Sequence, residues 1–260
     1  MLGYEDLKSA FDELSLQEEL VIAHASLKPF GYIHGGAEAV LDAMLASFHS
    51  IIMPTFTYKT KITPDVGPPN NGLLYGSGKD TNKMAEPFRP DMRADPMMGI
   101  LPETLRNHPS ATRTAHPILS FAGINAGATL FTQTIYEPLD PIGALGQQDG
   151  WVVLINVDHT SNTSIHYAEK LAGRKQFTRW ALVDNRVVEC PNYPGDSMGF
   201  QAIEEYLKFD TRRVEIGDGF IQAIPLRRLF NVVYEILRKD PLALLCERRD
   251  CERCNAIRGY

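Results

Sequence analysis

The chain has 260 residues, 44% of them hydrophobic, and a formal net charge of −6. That is enough apolar material for one large core, so residues 1–260 read as a single domain. The acidic balance argues against a nucleic-acid partner, which needs a basic face. No run of about 18 apolar residues is present, so no membrane span is expected. The first residues, Met1-Leu-Gly-Tyr-Glu-Asp6, lack the basic-then-apolar order of a secretory signal, and the expected location is cytoplasmic.

In chain order, the pattern predicts a helix over 4–14, a strand over 19–25 and a glycine-bearing turn over 27–36. A helix over 37–47 and a short apolar strand over 51–56 follow. The segment 58–90 has no hydrophobic period and is rich in Pro, Gly and Asn; a loop that long in a compact domain usually serves as a lid or a binding wall. Residues 97–107 read as helix and 113–125 as extended chain. The β-branched run Trp151–Val157 reads as a strand buried on both faces. After a polar turn, Thr163 or Ser164 can cap a helix carrying His166 and Glu169, whose spacing puts both on one face. Asp184-Asn185 between alternating apolar runs predicts a hairpin over 177–190. Helices over 199–209 and 226–239 precede a cysteine-bearing tail. The fold class is α/β: an open, twisted, mainly parallel sheet flanked by helices in three layers, with the hairpin beside it.

The candidate chemistry begins at residues 151–169, because open α/β sheets place ligands where strands feed helices at their carboxyl ends. An imidazole and a carboxylate meeting there are an acid–base pair. His24 ends the first strand, so if the two strands are central and parallel, His24 and His166 share a crevice. His116, before Pro117 and four residues ahead of Ser120, is a similar candidate. The turn after Ala25 leads into a helix N-terminus, where exposed amides favour an anion; Ser26 adds a hydroxyl and Lys28 a charge.

Other patterns fail on their own requirements. Gly195-Asp-Ser-Met-Gly199 matches a nucleophile elbow, but that arrangement needs a later histidine, and the last of the histidines at 24, 34, 49, 108, 116, 159 and 166 precedes Ser197. Ser197 is instead read as the cap of a helix starting near Met198. Gly76-Ser-Gly-Lys79 lacks the glycine and the hydroxyl residue of a P-loop, since Leu73 and Asp80 stand in their places. Neither H-x-H nor H-E-x-x-H spacing occurs, which disfavours metal-assisted hydrolysis.

Several segments in order resemble the aminoglycoside 3-N-acetyltransferase family over most of the chain. They are His24-Ala-Ser-Leu27 with Gly31, Gly35-Gly-Ala-Glu-Ala-Val40, Met53-Pro-Thr-Phe-Thr57, Asp95-Pro-Met-Met-Gly99, Thr114-Ala-His-Pro117 with Ser120-Phe121, Asp140-Pro-Ile-Gly143 and Asn162-Thr-Ser-Ile-His-Tyr-Ala-Glu169. The resemblance implies acetyl-CoA as donor and direct transfer to the amine at position 3 of a deoxystreptamine ring. It implies Ser26, Leu27, Lys28, Tyr32 and Gly35 at the cofactor phosphates or pantetheine, with Ser120 and Phe121 along its arm. His166 would be the general base oriented by Glu169, with Thr163 near the thioester oxygen and His24 as the next candidate base. This sequence departs from the family at Ala25 in place of a serine, at Thr114 and at Asp140. Two alternatives share these residues: an acyltransferase on a metabolic amine, and a protein that holds CoA or a polycation without turnover.

A cationic acceptor calls for carboxylates, so Asp95, Glu137 and Asp140, with Tyr58 and its long loop, are the expected acceptor-binding residues. The tail supplies Cys246, Cys251 and Cys254, and the only other cysteine is Cys190. In a reducing compartment, clustered cysteines favour metal over disulfide, and four thiolates would make a closed structural zinc site. A Cys246 disulfide to Cys251 or Cys254, or thiols that merely pack, are the alternatives.

Overall fold

The computed structural model describes residues 2–259. The elements in chain order are α1 (Tyr4–Glu13), β1 (Leu20–Ala25), α2 (Gly36–Ser47), β2 (Ser50–Pro54), β3 (Lys61–Ile62), α3 (Ile100–Asn107), β4 (Thr112–Arg113) and β5 (Phe121–Ile124). They continue with α4 (Gly127–Leu130), α5 (Asp140–Gln147), β6 (Trp151–Ile155), α6 (Ser164–Leu171), β7 (Phe177–Val183) and β8 (Arg186–Tyr193). Last come α7 (Glu204–Leu207), β9 (Arg212–Ile216), β10 (Gly219–Pro225), α8 (Leu226–Lys239) and α9 (Glu252–Arg258).

Seven strands form one sheet in the order β4-β5-β2-β1-β6-β10-β9. Its centre, β2-β1-β6, is parallel. The strands outside that centre pair antiparallel, so the parallel character expected of the sheet belongs to its middle. Successive side chains on a strand point to opposite faces, and both faces here are covered. Val21, Ala23, Ile51, Met53, Val153 and Ile155 join Leu41, Met44 and Leu105 in one apolar layer. Ile22, Ile52, Val152 and Leu154 join Ile142, Ile165, Leu229 and Val233 in the other. Helices α1, α2 and α3 thus cover one face while α5, α6 and α8 cover the second, giving the three layers expected. No described helix is long and apolar enough to cross a membrane.

A second sheet, β3-β7-β8, stands beside the first. Asp184 and Asn185 both have positive φ (47° and 61°), the conformation of a tight hairpin turn matched to strand twist. The hairpin runs on to Tyr193, past the expected end at Cys190. The 58–90 segment contributes β3 and is anchored rather than loose. Asn71 pairs with the Thr178 backbone on both its N–H and its carbonyl, and Arg179 donates to the carbonyls of Asn71 and Gly72. The stretch 113–125 is extended only at its ends. Between them His116 Nδ1 accepts from the N–H groups of Ile118 (3.2 Å) and Leu119 (2.9 Å), closing a turn.

Candidate active site

Strands β1 and β6 lie side by side in parallel, with His24 opposite Leu154 and Ala25 opposite Ile155. The Ser26 N–H donates to the Ile155 carbonyl at 2.9 Å, so the pairing persists one residue beyond β1. From these ends the chain diverges: β1 leads to α2 on one face of the sheet, and β6 leads to α6 on the other. Ligands in open α/β sheets sit where neighbouring connections part in this way. A cleft of about 580 Å³ opens there, with His24, Ser26, Lys28, Asn162, Thr163 and His166 in its lining.

At the cleft wall His166 Nδ1 lies 3.2 Å from Glu169 Oε2, one helical turn on. Glu169 is buried, and its other oxygen is 3.6 Å from Arg174 Nε. Arg174 in turn donates to the Ala243 carbonyl at 2.7 Å. An ionised carboxylate only accepts hydrogen bonds, so Nδ1 carries the proton and Nε2 keeps its lone pair. The imidazole packs edge-on against Phe200, with ring centroids 4.6 Å apart. Thr163 begins α6 as expected, yet its side chain makes no capping hydrogen bond; its carbonyl accepts from the His166 N–H instead. The Thr163 hydroxyl is thereby left for the cleft.

His24 also lines the cleft, but burial pulls its pKa down to about 3, and Nε2 has no partner among the described residues. A proton acceptor that weak is a poor general base at neutral pH. His116 is drawn down to about 4 by burial and lines a turn, not the cleft; its part is structural.

The residues expected to bind the cofactor divide. Ser26, Leu27 and Lys28 line the cleft. Tyr32 is 68% exposed and Gly35 caps α2 with φ 83°, and neither lines it. Ser120 and Phe121 are corrected to core residues. The Ser120 hydroxyl donates to the Thr55 carbonyl at 2.8 Å and accepts from Arg113 Nε at 3.2 Å, and Phe121 is buried against Phe56. Their neighbour Leu119 reaches the cleft instead.

The residues expected to bind the acceptor divide as well. Glu137 and Asp140 share Lys170 and line neither the main cleft nor the second cleft beside it, so that assignment is corrected. Tyr58 stands at the seam between the main cleft and a second of about 500 Å³. Asp95 lines the second cleft, where Glu86 pairs with Lys59 and Glu103 with Arg93 and Arg106. Asp95 forms no ion pair among the described residues; one oxygen accepts from the Met97 N–H at 3.0 Å.

Sequence reading missed Asn162 and Arg174, whose signals are weak because each acts through its neighbours. Asn162 Oδ1 accepts from the Ser164 N–H at 3.1 Å and shapes the start of α6. Ser197 is not the helix cap expected: the helical turn begins at Phe200 with Gly199 as its cap, and Ser197 lines the cleft. Cys190 is corrected too. It is buried in the main apolar core with its thiol pushed up to about 12, while Asp196 is the residue that joins Cys246, Cys251 and Cys254.

A family profile described as aminoglycoside 3-N-acetyltransferase matches residues 22–238. The chain belongs to that family. It is 29% identical over 162 residues to aminoglycoside N(3)-acetyltransferase VII of Streptomyces paromomycinus, covering 59% of this chain and 55% of that protein. It is 31% identical over 179 residues to aminoglycoside N(3)-acetyltransferase III of Salmonella sp, covering 64% and 59%. The chain thus spans little more than half the length of these curated relatives. The fold matches that of aminoglycoside acetyltransferase AAC(3)-IVa in its apoenzyme form, with a TM-score of 0.79 and 22% identity over 99% of this chain and 97% of that one.

Proposed function

We propose that the chain is an acetyl-CoA-dependent N-acetyltransferase acting on the 3-amino group of an aminoglycoside, with His166 as general base. The observation that carries this reading is the buried His166–Glu169 pair at a cleft that Ser26 and Lys28, just past the end of β1, also line. Lys28 and the turn suit an anionic, phosphate-bearing donor. The acceptor amine attacks the thioester carbonyl only when unprotonated. Its proton passes to His166 Nε2, the carbonyl oxygen becomes an oxyanion, and collapse expels the thiolate of CoA, which recovers the proton. The Thr163 hydroxyl supplies a donor for that oxyanion. His24, held neutral, serves as a hydrogen-bonding group rather than as the base. With acetyl-CoA as donor, the location that goes with this reading is the cytoplasm.

Thiol release from acetyl-CoA against a panel of aminoglycosides and simple amines tests this reading. Release with aminoglycosides, and acetylation at position 3 by mass and NMR analysis, is the expected result. Release with simple amines alone would make it an acyltransferase of a metabolic amine. CoA binding without release with any acceptor would make it a binding protein.

Asp95 is the carboxylate we assign to the cationic acceptor, because it lines the second cleft and forms no ion pair among the described residues. Asp95→Asn should raise the aminoglycoside KM about fivefold, the weight of an ion pair worth about 1 kcal/mol. The same KM should rise with salt, since screening weakens exposed charge attraction. A KM indifferent to both the substitution and ionic strength removes Asp95 from acceptor recognition.

A further inference from the structure

We infer that Asp196, Cys246, Cys251 and Cys254 bind one zinc ion that fastens the C-terminal tail to the wall of the cleft. One ligand atom from each of the four lies within 4.8 Å of all the others, and the Sγ atoms of Cys246 and Cys254 are 3.4 Å apart. Tetrahedral zinc, with Zn–S of about 2.3 Å and Zn–O of about 2.0–2.2 Å, sets its donors about 3.5–3.8 Å from one another. The observed spacing brackets that value.

Ordinary packing does not account for the cluster. The three tail thiols are buried, yet they form a group separate from both main apolar layers, and among the described residues Leu245 is the one partly buried hydrophobic side chain packed against them. Cys190, in contrast, sits among the aliphatic and aromatic side chains of the main core. Three soft sulfur donors select zinc over hard cations, and four protein ligands leave no open position, which makes the site structural rather than catalytic. Four anionic donors around a dication leave net negative charge, and cationic groups surround it. Arg253 Nη2 lies 3.1 Å from Asp196 Oδ2, and Arg258 donates to the Cys246 carbonyl.

The position of Asp196 gives the ion its consequence. Pro194 and Ser197, on either side of it, line the main cleft. Arg253 also donates to the Gly195 carbonyl at 2.8 Å, so the tail already grips this segment from one side. An ion at the cluster ties Cys246 and both ends of the Cys251-x-x-Cys254 turn to the same stretch. Residues 194–199 are thereby held against the site although the metal touches no substrate.

The test is metal analysis of the full, untagged chain purified without chelator. About one equivalent of zinc is expected, released by a mercurial, and retained in full by Cys190→Ala. Asp196→Ala and Cys254→Ser should lower the zinc content. Stripping the ion from the wild-type protein should speed amide exchange in 194–199 and 246–258 while β1 and β6 keep their protection. Cobalt in place of zinc should show intense tetrahedral ligand-field and thiolate charge-transfer bands. The wild-type measurement decides even if the variants misfold: less than about a tenth of an equivalent of zinc, with the tail thiols reacting freely or found in a disulfide, overturns the site. Loss of zinc from folded Cys190→Ala overturns this ligand set.

Discussion

His166→Ala should lower kcat for acetyl transfer by two or more powers of ten at neutral pH while CoA still binds. A positioned general base is worth about 10²–10⁴-fold, which sets the scale. The geometry explains why the loss should fall on turnover rather than on binding. Glu169 fixes Nδ1 at 3.2 Å, the ring packs edge-on against Phe200, and His166 lines the cleft. Glu169→Gln should give a smaller loss, because the amide can still accept from Nδ1–H but no longer stabilises the imidazolium formed during transfer. Arg174, which reaches the other oxygen of Glu169, is a positioning residue, and Arg174→Met should shift the pH–rate profile more than the KM for CoA. If folded His166→Ala keeps activity within about tenfold of wild type, the base is elsewhere. His24 is a weak substitute, since burial draws its pKa down to about 3.

What the sequence reveals follows from how local each signal is. The apolar runs at β1, β2 and β6 are legible because strands covered on both faces need no polar alternation, and α6 is legible because its chemistry sits at helical spacing. The hairpin of β9 and β10 is missed although Gly217-Asp218 is a turn signal; the charged positions in Arg212–Ile216 hide an edge strand that buries only Val214 and Ile216. The same limit explains the site residues that move. Ser120, Glu137 and Asp140 carry the right chemistry, but their partners Thr55 and Lys170 are remote in sequence, and no spacing rule reports that a hydroxyl or a carboxylate is already engaged. Arg174 fails to register because five residues from Glu169 is not a helical spacing, and Asp196 for the converse reason. Asp196 gains its meaning from tail cysteines that only the fold brings near.

Glu103→Ala should cost about 3–5 kcal/mol of folding stability at pH 7, the range for breaking a buried ion pair by removing one partner. Glu103 accepts from Arg106 at 2.9 and 2.7 Å, from the Ala94 N–H at 3.0 Å and from Asn107 at 3.2 Å. The side chains of Glu103 and Arg106 are only 12% and 10% exposed, so water cannot replace the carboxylate around the guanidinium. Burial resists its charge, but the Arg106, Ala94 and Asn107 hydrogen bonds prevail and hold the Glu103 pKa at about 2. A carboxylate depressed in the folded state gives stability that is present above its unfolded value of about 4.5 and lost as pH falls toward 2. The difference between wild type and variant should therefore be constant from pH 7 to about 5 and shrink below that. The histidines act in another window. His116 is drawn down to about 4 and His24 to about 3, so each withdraws stability as pH falls below about 6.5, equally in both proteins. Denaturant unfolding at pH 7, 5 and 3.5 separates the two contributions. A variant less than about 1 kcal/mol weaker at pH 7, or a difference that stays unchanged down to pH 3.5, would show that Glu103 is not what fixes Ala94 and, beside it, Asp95 at the edge of the cleft.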